Sequence, residues 1–207
     1  MKPRFITLEG GEGAGKTTNL AFIEQYLVKR GVSLVCTREP GGTVLGEKIR
    51  GLLLESGSVD SRAELLLVFA ARAQHINEVI RPALATGNWV LCDRFTDSTY
   101  AYQGGGRGMD VAFIGMLEQW VQLDLNPDLT LLLDLPVQIG MARARGRAET
   151  DRFETENDAF FNKVRMAYLD RLDRYPNRIK RIDACRGLEE VQADIAVQLD
   201  CLLEASA

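Results

Sequence analysis

The sequence has few histidines and cysteines and no long apolar run. It holds one histidine, His75, and four cysteines with no Cys-x-x-Cys pair, so zinc-ligand spacing is lacking. No apolar run reaches the roughly 18 residues of a membrane span. The N-terminal MKPRFITLEG lacks the apolar stretch of a secretory signal. These absences predict a cytoplasmic protein with reduced thiols and no membrane contact.

Neither positive nor negative charge is in large excess. The chain carries 25 Lys and Arg against 29 Asp and Glu, a net charge of -4, which argues against nonspecific binding of nucleic acid. Apolar residues make up 46% and charged residues 26%, as in soluble globular proteins. We find no repeat, low-complexity tract or linker composition, and therefore expect a single domain over 1–207.

Strand-like and helix-like segments alternate along the chain. Short apolar runs predict five strands, at 4–9, 32–36, 88–93, 129–135 and 178–183. Helical spacing predicts helices at 16–30, 44–55, 62–86, 110–124, 136–145, 156–174 and 188–204. Pro82 is expected to kink or end the third of these helices. Gly-rich or polar loops are predicted at 39–43, 104–108 and 146–151. The alternation predicts an α/β fold with a parallel sheet covered on both faces.

The segment 10-GGEGAGKT-17 matches the P-loop pattern and lies between a predicted strand and a predicted helix. Backbone N–H groups of such a loop, with the positive end of the following helix, surround phosphate oxygens. Lys16 would reach the β- and γ-phosphates, and the Thr17 hydroxyl would bind Mg²⁺. The predicted ATP-binding residues are Gly10, Gly11, Glu12, Gly13, Ala14, Gly15, Lys16 and Thr17. The fold implied is the three-layer P-loop NTPase fold.

A P-loop does not identify the reaction, because many functions share this fold. A GTPase would carry a guanine-reading Asn-Lys-x-Asp, whereas 126-NPDL-129 lacks the lysine. A motor or transporter ATPase usually brings additional domains, for which this chain has little room. The small size therefore favours a stand-alone kinase acting on a small molecule.

Asp93 and Arg94 follow the third predicted strand, at the sheet edge where ligands bind in parallel α/β folds. The carboxylate of Asp93 could hold Mg²⁺, and Arg94 could bind a phosphoryl oxygen. Asp134 ends another predicted strand and is an alternative metal ligand. We rank it second because no polar cluster follows it directly.

The sequence resembles the thymidylate kinases of the bacterial type. The resemblance covers nearly the whole chain and rests on four segments, 10-GGEGAGKT-17, 37-TREPGGT-43, 91-LCDRFTDSTYAYQGGGRG-108 and 143-RARGRAETDRFE-154. It implies a nucleoside monophosphate kinase that transfers the γ-phosphoryl group of Mg²⁺-ATP to dTMP. The family is usually a homodimer, so ATP, dTMP and a second copy of the chain are the implied partners.

The resemblance also implies roles for single residues. Arg94 would bridge the transferred group and the acceptor phosphate, Arg38 would lie near the dTMP phosphate, and Glu39 near the magnesium or the sugar. Tyr102 would crowd the sugar 2′ position, and Arg72 would donate to a thymine carbonyl. The family's base-stacking phenylalanine falls at Val68, with Phe69 the alternative. The implied dTMP-binding set is Arg38, Glu39, Phe69, Arg72, Arg94, Ser98, Thr99, Tyr102 and Gln103.

Phosphoryl transfer between two polyanions needs positive charge on both sides. The P-loop offers Lys16 but places an acid, Glu12, where some relatives carry an arginine. We expect the missing charge from arginines of a lid at about 143–155 that closes over ATP. Glu12 would then contact the sugar 3′-OH or orient Arg94. The predicted catalytic residues are Lys16, Arg94, Glu12, Arg147, Arg152 and Arg143.

Two alternatives to a dTMP kinase remain open from the sequence. One is a kinase of another deoxynucleotide or deoxynucleoside. The other is a regulatory protein that uses ATP occupancy as a switch, although a switch does not need the acceptor-side residues Arg38, Arg72, Arg94 and Tyr102.

Overall fold

A computed structural model describes residues 1–55, 57–144 and 156–206. Five strands, β1 to β5, span Phe5–Gly10, Leu34–Arg38, Trp89–Asp93, Leu129–Asp134 and Ile179–Asp183. They form one parallel sheet in the order β2-β3-β1-β4-β5. The predicted α/β sheet is confirmed, and each strand lies within two residues of its expected start.

The helices alternate with the strands. Helices α1 to α9 span Lys16–Val28, Val44–Glu55, Ser61–His75, Arg81–Ala85, Thr96–Thr99, Val111–Gln122, Val137–Ala144, Asp158–Arg174 and Leu188–Glu204. Two π-helical segments, Ile76–Ile80 and Tyr100–Gly106, continue α3 and α5. Among the described residues, no helix combines the length and apolarity needed to cross a membrane.

Alternate residues of the central strands enter two different cores, which is why both faces of the sheet are covered. In β1, Ile6 and Leu8 pack with α1 and α9 residues, whereas Phe5 packs with Ile76 and Phe95 on the opposite face. The carboxyl ends of the strands meet along one edge, where Leu8 lies opposite Asp93 in the register of β1 and β3. The P-loop and the Asp93-Arg94 pair therefore start from neighbouring strands.

Pro82 does not end the helical segment 62–86. It lies in the first turn of α4, where its missing N–H is tolerated, and a π-helical turn precedes it. One local prediction was wrong. Residues 104–106 are π-helical rather than a loop. Glycine is required there for close packing, since a Cβ at Gly105 would lie 2.7 Å from the Lys163 carbonyl oxygen of α8.

Candidate active site

A cavity of about 270 Å³ opens at the carboxyl edge of the sheet, where β1, β2 and β3 end. Most of the predicted site residues line it together, namely Glu12, Gly13, Ala14, Gly15, Lys16, Thr17, Glu39, Arg72, Asp93, Arg94, Ser98, Thr99, Tyr102 and Gln103. The P-loop forms one wall and the segments after β2 and β3 form the others. One cavity thus brings the predicted donor and acceptor sides together.

The P-loop is shaped by left-handed glycines. Gly13 has a φ of 69° and packs so closely on α7 that a Cβ there would lie 2.0 Å from the Gly140 carbonyl oxygen. Gly15, at 83°, precedes Lys16, and no described side chain caps the start of α1. The N-terminal N–H groups of α1 therefore remain available for an anion.

The Lys16 side chain contacts the backbone of its own P-loop. Its Nζ donates to the carbonyl oxygens of Gly10 at 3.1 Å and Gly11 at 3.2 Å. Burial, followed by the positive charge of Arg94, lowers the pKa of Lys16, while Glu12 and Asp93 oppose this. A bound polyphosphate would supply compensating negative charge and favour the ammonium form.

Arg94 connects the P-loop with the acceptor side. It adopts a φ of 65°, unusual for a residue other than glycine. Its Nη1 donates to the Gly10 carbonyl oxygen at 3.1 Å, and its Nη2 donates to Glu12 Oε1 at 2.9 Å and to the Tyr102 hydroxyl at 3.1 Å. Burial works against the charge, yet the oxygens of Tyr102, Tyr168 and Glu12 raise the pKa of Arg94 further above its ordinary value. The guanidinium is therefore a fixed positive charge in the cavity wall.

Of the two roles left open for Glu12, the structure contains the contact with Arg94. Glu12 Oε1 also accepts from the Tyr102 hydroxyl at 3.0 Å. Glu12 of the P-loop thus holds two side chains of the segment after β3, Arg94 and Tyr102, in place.

Asp93 and Asp134, the two candidate metal ligands, differ in their surroundings. Asp93 lines the cavity, and its buried Oδ1 has no hydrogen-bond partner among the described residues. Asp134 lies outside this lining and is held by Arg165 at 2.7 Å and Arg181 at 2.6 Å. The environment of Asp93 fits a divalent cation better, because its oxygen still needs a partner.

Some predicted residues lie elsewhere. Arg38 is exposed and paired with Glu47 at 2.9 Å, and Gly10, Gly11 and Arg143 are also outside the cavity lining. Arg143 Nη1 donates to the Ala184 carbonyl oxygen at 2.8 Å. Arg147 and Arg152, with the rest of 145–155, lie outside the described residues.

Phe69 is a correction to the predicted base-stacking residue. Its side chain is buried with Leu65, Tyr100 and Ile114, whereas Val68 lines the cavity. The two residues are one step apart on α3, which turns them by about 100°. Phe69 therefore belongs to the core, and its ring centre lies 5.0 Å from the guanidinium of Arg72, which lines the cavity.

Two charged residues at the site, one basic and one acidic, were not predicted from the sequence. Arg50 of α2 lines the cavity and donates to the Pro40 carbonyl oxygen at 3.1 Å. Glu9, the last-but-one residue of β1, is fully buried below the cavity. Arg50 could have been predicted only from the face of α2 on which it lies. Glu9 looks like any carboxylate near the end of a strand, so no sequence signal indicates its role.

Glu9 organises the segment after β3. Its Oε1 accepts from the Phe95 backbone N–H at 2.7 Å, and its Oε2 accepts from Ser98 Oγ at 2.5 Å and the Tyr168 hydroxyl at 2.9 Å. Burial, followed by the negative charge of Asp97, raises the pKa of Glu9 to about 7. This carboxyl group thus exchanges a proton near neutral pH.

The raised pKa of Glu9 predicts a pH-dependent stability. An acid whose pKa is higher in the folded than in the unfolded state binds more protons when folded, so the free energy of unfolding falls as pH rises from 4.5 to about 7. The full shift corresponds to roughly 3 kcal/mol. Urea unfolding at pH 5 and pH 8 should show this loss in the wild type and a smaller one in Glu9→Gln. Equal pH dependence in both proteins would contradict the assignment.

A phosphate-binding loop that shares one cavity with three arginines, Arg50, Arg72 and Arg94, defines a P-loop phosphotransferase of the nucleoside monophosphate kinase class. Comparison with known proteins gives the particular family. The Thymidylate kinase family model matches residues 8–195, and the chain belongs to this family. Members of the family transfer a phosphoryl group from ATP to dTMP, so the resemblance read from the sequence is confirmed.

Relatives are similar over nearly their whole length. The chain is 58% identical to a thymidylate kinase of Pseudomonas putida over 99% of this chain and 98% of the relative. It is 57% identical to one of Chromobacterium violaceum, over 97% and 95%. The crystal structure of thymidylate kinase from Ehrlichia chaffeensis superposes with a TM-score of 0.80 at 35% identity, covering 97% of this chain and 99% of the other.

Proposed function

We propose that this protein phosphorylates dTMP to dTDP with ATP, with the acceptor bound between Arg94 and Arg72. The observation that carries the proposal is that a single cavity holds the P-loop, Arg94, Tyr102 and Arg72 together. The two ligands would meet at Arg94, which already contacts the P-loop on one side and Tyr102 on the other.

The P-loop would hold ATP, with the α1 N-terminus and Lys16 on its phosphates. On the acceptor side, Tyr102 would crowd the sugar 2′ position, with Ser98, Thr99 and Gln103 beside it. Arg72 would donate to a base carbonyl, and Val68 rather than Phe69 would face the base. In phosphoryl transfer the protein mainly aligns the ligands and neutralises charge, and these residues supply both.

Mg²⁺ would be held by Asp93 and by the Thr17 hydroxyl together with phosphate oxygens. Bound there, the ion would neutralise charge on the transferring phosphates. Among the described residues, no three His, Cys, Asp or Glu side chains form a metal cluster. Magnesium sites in kinases commonly use one or two carboxylates with substrate phosphates, which suits this arrangement.

Remaining features of the proposal rest on the resemblance. Arg143, Arg147 and Arg152 would act in a lid at about 143–155 within one kinase domain over 1–207. Arg38 would reach the dTMP phosphate after leaving Glu47. The cytoplasm is the proposed location, because all four cysteines, which lie within the described residues, are free thiols.

The test of function is a panel of acceptors. Purified protein with Mg²⁺-ATP should convert dTMP to dTDP with the highest kcat/KM among dTMP, dCMP, AMP and thymidine. Better turnover of any other acceptor would overturn the substrate assignment. ATP binding without phosphoryl transfer to any of them would favour the regulatory alternative.

We also propose a homodimer formed through α6. Phe113, Met116 and Trp120 recur at three- and four-residue steps on one face and are 45%, 58% and 78% exposed. A stripe of large apolar side chains on a surface helix marks a protein interface.

Sedimentation velocity tests the dimer. The wild type should sediment as a dimer and Trp120→Glu as a monomer, because a buried carboxylate would face the partner's apolar stripe. Val197→Glu replaces an apolar residue of α9 that is 57% exposed. It adds the same charge away from α6 and should leave the dimer intact. A monomeric wild type would contradict the proposal.

A further inference from the structure

His75, the single histidine, does not line the cavity and yet lies in a chain of hydrogen bonds that ends in the cavity wall. It is the last residue of α3 and is fully buried. Its Nδ1 lies 2.9 Å from Glu39 Oε1, and its Nε2 lies 2.6 Å from Thr37 Oγ1. Both ring nitrogens are therefore used.

The partners define the tautomer of His75. A carboxylate only accepts hydrogen bonds, so the proton lies on Nδ1 and is donated to Glu39. In the neutral imidazole, Nε2 then accepts from the Thr37 hydroxyl. The imidazole thus links the end of β2 with the loop after it and fixes one oxygen of Glu39.

The second oxygen of Glu39 holds Arg72. Arg72 Nε donates to Glu39 Oε2 at 2.7 Å, and its Nη2 donates to Thr99 Oγ1 at 3.0 Å. Arg72 and Glu39 are 1% and 4% exposed, so the pair is desolvated. Two of the three guanidinium nitrogens are therefore fixed by buried side chains.

The third nitrogen is available to a ligand. Arg72 Nη1 is buried and has no hydrogen-bond partner within the part of the chain that the structure describes, and Arg72 lines the cavity. A buried donor without a partner is unfavourable, and an acceptor atom of a bound molecule would satisfy it. A pyrimidine carbonyl oxygen has the required chemistry.

We propose that His75 is a positioning residue for acceptor recognition. It orients Glu39, and Glu39 orients Arg72 so that Nη1 faces a carbonyl oxygen of the acceptor base. The inference rests on the proposed function, since it assigns to that cavity a base with such an oxygen. His75 does not line the cavity, so we expect its effect on dTMP binding to pass through Glu39 to Arg72.

A double-mutant cycle tests this route. Calorimetric titration with dTMP, which does not depend on turnover, measures binding to wild type, His75→Leu, Arg72→Lys and the double variant. Arg72→Lys keeps a positive charge beside Glu39 but lacks the guanidinium fork. His75→Leu should weaken dTMP binding about 10- to 100-fold in the wild type and less than about twofold in the Arg72→Lys background. Equal weakening in both backgrounds would overturn the proposal.

Two conservative variants separate positioning from folding. The amide nitrogen of His75→Asn falls near Nδ1 and should keep dTMP binding within about threefold of wild type, whereas His75→Gln, whose amide falls near Nε2, should bind as weakly as His75→Leu. Similar binding by both amide variants would overturn the proposal. ATP affinity should stay unchanged in both, and a parallel loss of ATP affinity would also overturn it. A wild type that does not bind dTMP would refute the proposed function instead.

Discussion

Lys16→Ala should lower kcat by at least about 10³-fold, because the cation that contacts the transferring phosphates is lost at the step where charge develops. The P-loop backbone and the N-terminus of α1 stay in place, so ATP affinity should fall much less than the rate. The rate at saturating Mg²⁺-ATP and dTMP gives kcat, and a separate calorimetric titration with ATP gives the affinity. The fold should tolerate the change, since within residues 1–55, 57–144 and 156–206 the Lys16 side chain donates hydrogen bonds to two carbonyl oxygens of its own loop.

The matched control for Lys16 lies on the same helix. Lys29 follows the last turn of α1 and is exposed, far along the helix from the cavity. Lys29→Ala removes the same charge and should keep kcat within about twofold, as expected for a surface change. A Lys16→Ala enzyme with near wild-type kcat would refute the assignment of the P-loop as the ATP site.

Arg94→Met should be the second severe variant, with kcat lowered by about 10³-fold. The substitution removes the charge between donor and acceptor and removes the ion pair that Arg94 makes with Glu12 at 2.9 Å. Arg94→Lys retains a charge near Glu12 but cannot donate to Gly10, Glu12 and Tyr102 together, so it should recover only part of the rate. Steady-state kinetics with dTMP as the varied substrate would show the loss in kcat.

Arg186 provides the control for Arg94. It lies on the surface before α9, paired with Glu190 and Asp194. Arg186→Ala should leave both kinetic constants near wild type. If Arg94→Met changed the KM for dTMP alone, Arg94 would be a binding residue without a role in transfer.

The fold was predictable because local patterns and global packing agree. Strand runs such as 129–135 alternate with helices whose apolar spacing is clear, and the P-loop identifies the strand-to-helix junction. The segments around Asp93 and Arg94 were predictable for the same reason, since parallel strands place their carboxyl ends at one edge. What sequence reading could not supply was the detail that depends on contacts between distant elements.

Four residues illustrate that limit. Phe69 and Val68 differ by one helical step, and only packing against α6 decides which one enters the core. Glu9 and His75 have ordinary sequence contexts, and their importance comes from partners that are 86 and 36 residues away. The π-helical glycines were assigned to a loop because composition does not reveal that α8 passes close by.

Gly13 and Gly140 face each other where the P-loop rests on α7. A Cβ on Gly13 would lie 2.0 Å from the Gly140 carbonyl oxygen, and a Cβ on Gly140 would lie 2.3 Å from the Glu12 carbonyl oxygen. The position of the P-loop therefore depends on α7, a helix that contributes no residue to the cavity lining. In a mutational scan, substitutions at Gly140 should lower activity as substitutions in the active site do. Among related sequences, the position of α7 should vary as little as the position of the P-loop.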